Sequence, residues 1–155
     1  MNMKRRVFLR GTLTASAIGV AVGAGLLTPQ TVLAAWPKDA FDTKNMKKAM
    51  KMVDGAESAE NGHVTIHAPD IAENGAVVPI TVTSDLKDAK TLTIFTPHNP
   101  FPLNSSYDLI DAKPYVSTRI KLAKSMKVVG VVRDSNGKLY RASKKIKVTI
   151  GGCGG

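Results

Sequence analysis

The hydrophobic pattern of the first folded segment has the period of a helix. Within residues 41–53 apolar side chains recur every three or four positions, and lysines fill most of the places between them. These apolar residues are Met46, Ala49, Met50 and Val53. The spacing predicts an amphipathic helix, with Asp42 as its N-cap and Gly55 as its end. Methionines spaced in this way either bind a metal or a partner helix, or they pack on the domain; we favour packing in the core.

After Gly62 the period changes to two, which is typical of strands. The segments predicted as strands are 63–68, 76–83, 90–96, 107–110, 116–123, 126–133 and 139–150. Pro79 interrupts the second of them and indicates an edge position or a bulge. Asp134-Ser135-Asn136-Gly137 is a hairpin signal before the last strand. Seven short strands separated by turns predict an all-β, antiparallel β-sandwich, with the helix outside it.

The first 34 residues have a different composition. Adjacent arginines (Arg5 and Arg6) precede an apolar run over residues 11–27, a proline and the small residue Ala34. This order predicts a twin-arginine signal peptide over residues 1–34, cleaved after Ala34 or, as a second choice, after Ala35. A membrane anchor is the alternative, but the run contains four glycines and falls short of about 20 apolar residues. The sandwich domain is then 35–150, and residues 151–155 form a tail.

The chain carries 22 basic and 12 acidic residues, and the predicted signal contains four of the basic ones and none of the acidic ones. The exported domain therefore keeps 18 basic residues and a net charge near +6. A positive surface attracts nucleic acid, membranes or small anions. Export argues against nucleic acid, as does the lack of interleaved aromatic and basic residues. Inorganic anions and an acidic protein partner stay open, and we expect no membrane association after signal cleavage.

Cys153 is the single cysteine of the chain, and two glycines flank it on each side. Glycine leaves the backbone unrestrained, so Gly151, Gly152, Gly154 and Gly155 predict a flexible tether that reaches about 17 Å when extended. A leftover cysteine in an exported protein indicates an intermolecular bond or a reactive thiol. An incidental cysteine on a loose end is the alternative, which the symmetric glycines make improbable.

A thiol on a tether has no fixed base, oxyanion donor or pocket of its own, so it suits a carrier better than an enzyme. Its thiolate can hold a covalently attached group and present it in the narrow cleft of another protein. Two other functions stay open. One is an exported binding module that uses Cys153 for an intermolecular disulfide, and the weaker one is a thiol-based metal or redox protein. Whether the resting state is a free thiol or a disulfide-linked dimer is also open.

The remaining candidate residues point away from metal or cofactor chemistry. His63 and His67 lie four residues apart on one predicted strand, hence about 13 Å apart, which is too far for one metal ion. His98 stands alone in a proline-rich loop. Four carboxylates, in loop-like surroundings, are interpreted as solvated: Asp70, Glu73, Asp85 and Asp88. The loop 99–102, with Phe101 between prolines, is interpreted either as a partner contact or as a rigid connection between strands.

Three segments and the twin-arginine signal together resemble the SoxY family, the sulfur-carrier subunits of the periplasmic Sox thiosulfate-oxidation system. The segments are Ile71-Ala72-Glu73-Asn74-Gly75-Ala76-Val77-Val78-Pro79, Asn99-Pro100-Phe101-Pro102 and Val148-Thr149-Ile150-Gly151-Gly152-Cys153-Gly154-Gly155. The resemblance extends over essentially the whole chain. It implies an immunoglobulin-like sandwich, which binds a second sandwich subunit called SoxZ. Because the twin-arginine route generally exports folded proteins, we expect the chain to be exported together with a partner subunit.

The resemblance also implies how sulfur is carried. Cys153 would be the one covalently modified residue, and its four glycine neighbours would form a swinging arm. In the family a c-type cytochrome complex joins thiosulfate oxidatively to the thiol, which gives a cysteine S-thiosulfonate. A di-manganese hydrolase then releases sulfate, and a molybdenum–haem dehydrogenase oxidises the remaining sulfane sulfur. No motif identifies the surface that meets the SoxZ subunit.

Overall fold

The computed structural model describes residues 38–53 and 55–150, which lie in one compact unit. Two short helices come first, α1 (Lys38–Asp42) and α2 (Met46–Met52), and a 3-10 turn follows at Ala56–Ser58. The strands are β1 (Glu60–Asn61), β2 (Val64–His67), β3 (Ile71–Asn74), β4 (Val78–Ser84), β5 (Ala89–Phe95), β6 (Leu103–Asp108), β7 (Tyr115–Ile120), β8 (Met126–Asp134) and β9 (Leu139–Ile150). The predicted signal peptide (1–34) and the predicted arm (151–155) lie outside the described residues.

The strands form two sheets. The larger has the order β1-β9-β8-β5-β6, with β3 also paired to β9, and the smaller has the order β2-β4-β7. All pairs are antiparallel except β1 and β3, which run parallel to β9 at its two ends. The predicted all-β, immunoglobulin-like sandwich is confirmed. The two parallel pairings were not predicted, and both belong to β9, the strand that leads into the arm.

The core lies between the two sheets. Alternate residues of a strand face opposite sides, and the inward side of the larger sheet is apolar, with Leu92, Ile94 and Val128 fully buried. They face the smaller sheet, whose β4 buries Val82 completely. A Cβ atom at Gly130 would lie 3.0 Å from Val82 Cγ1, so this glycine allows β8 to lie close to the smaller sheet.

The outer face of the larger sheet has its own apolar cluster beneath the helices. Phe95 and Val131 supply the sheet side, and Ala40, Ala49 and Met50 supply the helical side. Ala49 is fully buried and Met50 is 9% exposed, so the methionine stripe packs in the core as predicted. The helices cover only part of this face.

The prediction of a single helix over residues 41–53 is wrong, because residues 43–45 are not helical and separate α1 from α2. Asn45, not Asp42, caps α2: its side-chain oxygen accepts a hydrogen bond from the N–H of Lys48 at 3.1 Å. Gly55 follows the helix with a φ of 74°, a value that favours glycine. No helix in the described part of the chain is long and apolar enough to span a bilayer.

Three of the strand predictions need correction. The short strand predicted at 107–110 is β6, which begins at Leu103 and ends at Asp108. β1 and β3 were not predicted at all. Pro79 lies in β4, the middle strand of its sheet and not an edge. It pairs with Arg119 of β7, but β2 reaches only from Thr81 to Ser84 on the other side. At Pro79 the ladder is therefore one-sided, which accommodates a residue that lacks an N–H.

Candidate functional site

The predicted site residues Cys153, Gly151, Gly152, Gly154 and Gly155 lie outside the described residues. The structure does place the residue that precedes them, Ile150, at the end of β9. The last four residues of this strand, 147–150, are called the arm base here. What fixes the arm base determines where the predicted carrier thiol is attached to the domain.

On one side the arm base pairs with β3. The N–H of Lys147 donates to the carbonyl of Asp70 at 2.8 Å, and the N–H of Gly75 donates to the carbonyl of Ile150 at 2.7 Å. These two bonds bracket the parallel ladder between β3 and β9. The last described carbonyl of the chain is therefore held within the sheet.

On the other side a serine side chain takes the place of a strand. β8 begins at Met126, so the backbone ladder from β8 to β9 starts opposite Ile146 and does not reach the arm base. The hydroxyl of Ser125 accepts from the N–H of Val148 at 2.9 Å and donates to its carbonyl at 3.4 Å. The arm base is thus hydrogen-bonded as far as Val148 on this edge and as far as Ile150 on the β3 edge.

Two further contacts connect the arm base to the neighbouring loops. Thr149 donates its hydroxyl to the carbonyl of Glu73 at 2.8 Å. The carbonyl of Gly75 accepts from the N–H of Leu122 at 2.7 Å. This bond links the turn after β3 to the segment after β7. Leu122 is fully buried. The core therefore holds this turn against the arm base.

The loop 99–102 was interpreted as a rigid connection or as a partner contact, and different residues of it bear on each interpretation. Asn99 is structural: its side chain accepts from the N–H of Ala123 at 3.0 Å and donates to the carbonyl of Lys121 at 2.7 Å. This pair of hydrogen bonds supports the interpretation of the loop as a rigid connection between strands. Phe101 in the same loop leaves 48% of its surface exposed, so the partner contact stays a prediction for that residue.

Large apolar side chains are exposed around the arm base. Ile150 is 69% exposed, Ile71 of β3, which pairs with Lys147, is 57% exposed, and Val77 after the β3 turn is 55% exposed. Single exposed apolar residues are common on protein surfaces, but groups of them often mark contact sites. The sequence identified this region as part of the SoxY resemblance but did not indicate that its isoleucines are exposed.

The three histidines lie in three separate environments. His63 lies 2.8 Å from a carboxylate oxygen of Asp85, and His67 is exposed at the end of β2. His98 Nδ1 lies 3.3 Å from the carbonyl of Ser125, beside the arm base. Within residues 38–53 and 55–150 no three metal-ligating side chains come together.

The four carboxylates are engaged separately. Asp70 pairs with Lys144 at 2.9 Å, and Asp88 accepts a 2.6 Å hydrogen bond from the hydroxyl of Ser135. That hydrogen bond holds the pKa of Asp88 below its ordinary value. Glu73 lies inside β3, so its interpretation as a loop residue is wrong.

Comparison with known proteins places the chain in a family. The family described as "Sulfur oxidation protein SoxY" matches residues 49–153, a stretch that includes Cys153. The solved structure of the sulfur carrier protein SoxY from Chlorobium limicola f thiosulfatophilum is 41% identical, with a TM-score of 0.59. That match covers 68% of this chain and 97% of the other. No curated protein matches the chain.

More distant structures share the fold only. The superoxide reductase (neelaredoxin) from Ignicoccus hospitalis is 18% identical with a TM-score of 0.50, over 60% of this chain and 97% of the other. Sandwiches of this type therefore serve unrelated chemistry. The family match, which extends to Cys153, and the 41% identical carrier structure both show that the chain belongs to the SoxY family of sulfur-oxidation proteins.

Proposed function

We propose that this chain is a covalent sulfur carrier of periplasmic thiosulfate oxidation, which holds pathway intermediates on Cys153. The observation that carries the proposal is the relation between the family match and the arm base. The match extends to Cys153, and this cysteine lies three residues beyond a strand end that is hydrogen-bonded on both edges. In this proposal the arm base fixes the point at which the thiol is attached, and the glycines on either side of Cys153 allow its backbone to rotate.

In the first proposed step the Cys153 thiolate is joined to thiosulfate. A new S–S bond forms between the cysteine sulfur and the sulfane sulfur of thiosulfate, which gives a cysteine S-thiosulfonate. The thiolate carries one negative charge and thiosulfate two, whereas the adduct carries one, so two electrons leave. A c-type cytochrome complex is the proposed acceptor of these electrons.

In the second proposed step water cleaves the sulfonate from the adduct. The bond between the sulfane and sulfonate sulfurs breaks, water supplies the fourth oxygen of sulfate, and two protons are released. Cys153 is left as a persulfide anion, which balances the charge. The proposal assigns this step to a di-manganese hydrolase, and oxidation of the remaining sulfane sulfur to a molybdenum–haem dehydrogenase. The chain itself is the substrate carrier, and a SoxZ-like subunit is its proposed partner.

Export is part of the same proposal. Residues 1–34 would direct the chain through the twin-arginine route, which handles proteins that have already folded, and the partner subunit would cross with it. N-terminal sequencing of the protein from the periplasmic fraction is expected to begin at Ala35 or Trp36. A protein that keeps Arg5 and Arg6 and stays in the membrane fraction would support the anchor alternative.

The experiment that tests the carrier reconstitutes the loading step. The full chain with its copurified subunit is incubated with thiosulfate and the cytochrome complex, and the peptide that contains Cys153 is then analysed by mass spectrometry. We expect the mass of one S–SO3 group to be added to that peptide. The Cys153→Ser variant is the matched control and is expected to gain nothing.

The same material separates the carrier from a module that is linked by a disulfide. Non-reducing electrophoresis of such a module would show a stable cross-link, with no free thiol left to load. An unmodified peptide from wild-type protein, obtained with an active cytochrome complex, would contradict the carrier.

A further inference from the structure

A cationic groove lies beside the arm base on the outer face of the larger sheet. Its main part is a cavity of about 360 Å³ lined by Pro97, His98, Ser125, Met126, Lys127 and Lys145. A neighbouring cavity of about 310 Å³ shares Pro97 and Lys127 with it and adds Arg141 of β9. Neither cavity has a carboxylate in its lining.

The two lysines of the groove stand directly opposite each other. Lys127 of β8 and Lys145 of β9 are register partners, so their side chains leave the same face of the sheet. Like charges at directly opposed positions destabilise a sheet. Among the described residues no carboxylate lies within ion-pair distance of either ammonium group. Within the described part of the chain this positive pair is therefore uncompensated.

His98 completes the rim of the groove. The carbonyl of Ser125 accepts only, so His98 Nδ1 donates to it at 3.3 Å. With its hydrogen on Nδ1, a neutral imidazole ring can only accept through Nε2. The same Ser125 holds Val148 of the arm base through its hydroxyl. Ser125 thus connects the histidine to the arm base, and it lines the same cavity as both lysines.

We propose that this groove is a binding subsite for a sulfur oxyanion, a sulfonate or sulfate-type group, held by Lys127 and Lys145, with His98 at its rim. Tetrahedral oxyanions are the ligands that two neighbouring ammonium groups recognise through charge-assisted hydrogen bonds. The inference deepens the proposed function and rests on it for the origin of the anion, which is either the sulfonate end of an adduct on Cys153 or free thiosulfate.

The dimensions of the arm fit the first origin. Two glycines separate Ile150 from Cys153, so three Cα-to-Cα steps span about 10 Å when extended. An arm folded back along β9 therefore brings the cysteine to about the level of Lys147, two residues from Lys145. The side chain and its sulfur adduct cover the remaining distance to the groove. Docked there, the negative end of the adduct is neutralised, whereas in the released state it is available to a partner enzyme.

A second groove shows that positive lining is not general on this surface. The larger cavity of about 630 Å³, at the opposite end of the sandwich, contains Lys87, Lys90 and Lys113 but also Asp85, Asp88 and Asp111. Its charges compensate one another. It supplies a matched control lysine, because Lys87 is exposed and lies on the turn before β5, far from the arm base.

The test uses nuclear magnetic resonance on the full chain with any copurified subunit, in two arms. In the first arm Cys153 is loaded chemically with tetrathionate: the thiolate displaces thiosulfate, one S–S bond breaks and one forms, and no external oxidant is needed. In the second arm free thiosulfate is titrated into the Cys153→Ser variant against sodium chloride of equal ionic strength. Amide signals of Ser125, Lys127 and Lys145 and the ring signals of His98 are followed.

We expect these signals to move in the loaded protein, in the thiosulfate titration, or in both, and the arm that responds identifies the source of the anion. Lys127→Gln and Lys145→Gln should weaken the response about three- to tenfold, as expected for loss of one charge-assisted contact, and Lys87→Gln should leave it unchanged. Signals that stay still in both arms, or that move equally with sodium chloride, would overturn the inference. Because tetrathionate loads Cys153 without partner enzymes, this result is independent of enzymatic loading, whose failure would instead contradict the proposed function.

Discussion

At the scale of single residues, Ser125 has the most specific task in the described part of the chain. It precedes β8 and bonds both backbone groups of Val148, so one hydroxyl extends the sheet to the arm base where no strand is present. A buried or half-buried backbone group without a partner costs free energy. Ser125 therefore helps to fix the strand end from which the arm starts.

Ser125→Ala should remove this clamp. We expect the free energy of unfolding to fall by about 0.5–1.5 kcal/mol, the usual net value of a hydrogen bond, and the amide of Val148 to exchange its hydrogen faster. Ser143→Ala is the control, because Ser143 is an exposed serine of the same strand β9, and it should change stability by less than about 0.5 kcal/mol. Denaturant unfolding and hydrogen exchange measure both effects. Unchanged exchange at Val148 would show that the clamp does not hold the strand.

Asp88 gives a prediction about pH at the same scale. The hydroxyl of Ser135 lowers the pKa of Asp88 from its ordinary value of 3.8. Because the pKa in the folded state is lower than in the unfolded state, the carboxylate stabilises the fold above pH 3.8 and loses this contribution as the pH falls through the folded pKa. Ser135→Ala should raise the pKa of Asp88 towards 3.8. A titration of the Asp88 carboxyl carbon by nuclear magnetic resonance measures it, and an unmoved midpoint would contradict the assigned cause.

At the scale of elements, β9 connects more of the molecule than any other described strand. It pairs with β8 along its first eight residues and with β1 and β3 at its two ends. Its inner face buries Ile146, whereas its outer face carries Lys145 into the cationic groove. One strand thus anchors the core, supports the arm and lines the proposed subsite.

Lys145→Glu separates stability from anion binding on this strand. An opposite charge facing Lys127 replaces a like-charge pair, so the free energy of unfolding should rise by about 0.2–1 kcal/mol. The response of the groove to thiosulfate should disappear, because one of its two ammonium groups has become a carboxylate. Thermal unfolding and the thiosulfate titration check the two outcomes, with Lys87→Glu as control. Lower stability would mean that other charges dominate at this pair.

The sequence allowed β9 to be predicted with the bounds that the structure has, because polar and apolar residues alternate over 145–150 and a hairpin signal precedes Leu139. β3 has no such pattern: Ala72 is its one buried residue, and the strand forms because β9 offers it a free edge. β6 was misplaced for a related reason. Its Asn104, Ser105 and Ser106 are polar, and its position follows from pairing with β5, where Thr93 and Ser106 join their hydroxyls at 3.0 Å.

At the scale of the whole molecule, the proposed carrier residue follows from the sequence, whereas the residues that surround its point of attachment do not. Cys153 is identified by composition and by its glycine neighbours, both of which are local in sequence. The arm base is assembled from Gly75, Ser125 and Val148, which only folding brings together. The same is true of the groove, since Lys127 and Lys145 meet only through the pairing of β8 with β9.

The most direct test of the central claim is the intact mass of this protein isolated from cells that are oxidising thiosulfate. The account predicts a fraction of molecules that carry thiosulfate-derived sulfur on Cys153, which reducing agent removes, and no such fraction in cells that express Cys153→Ser. Cells without thiosulfate provide the baseline. A single unmodified mass in actively oxidising cells, or the same adduct on the Cys153→Ser variant, would contradict a carrier function for this cysteine.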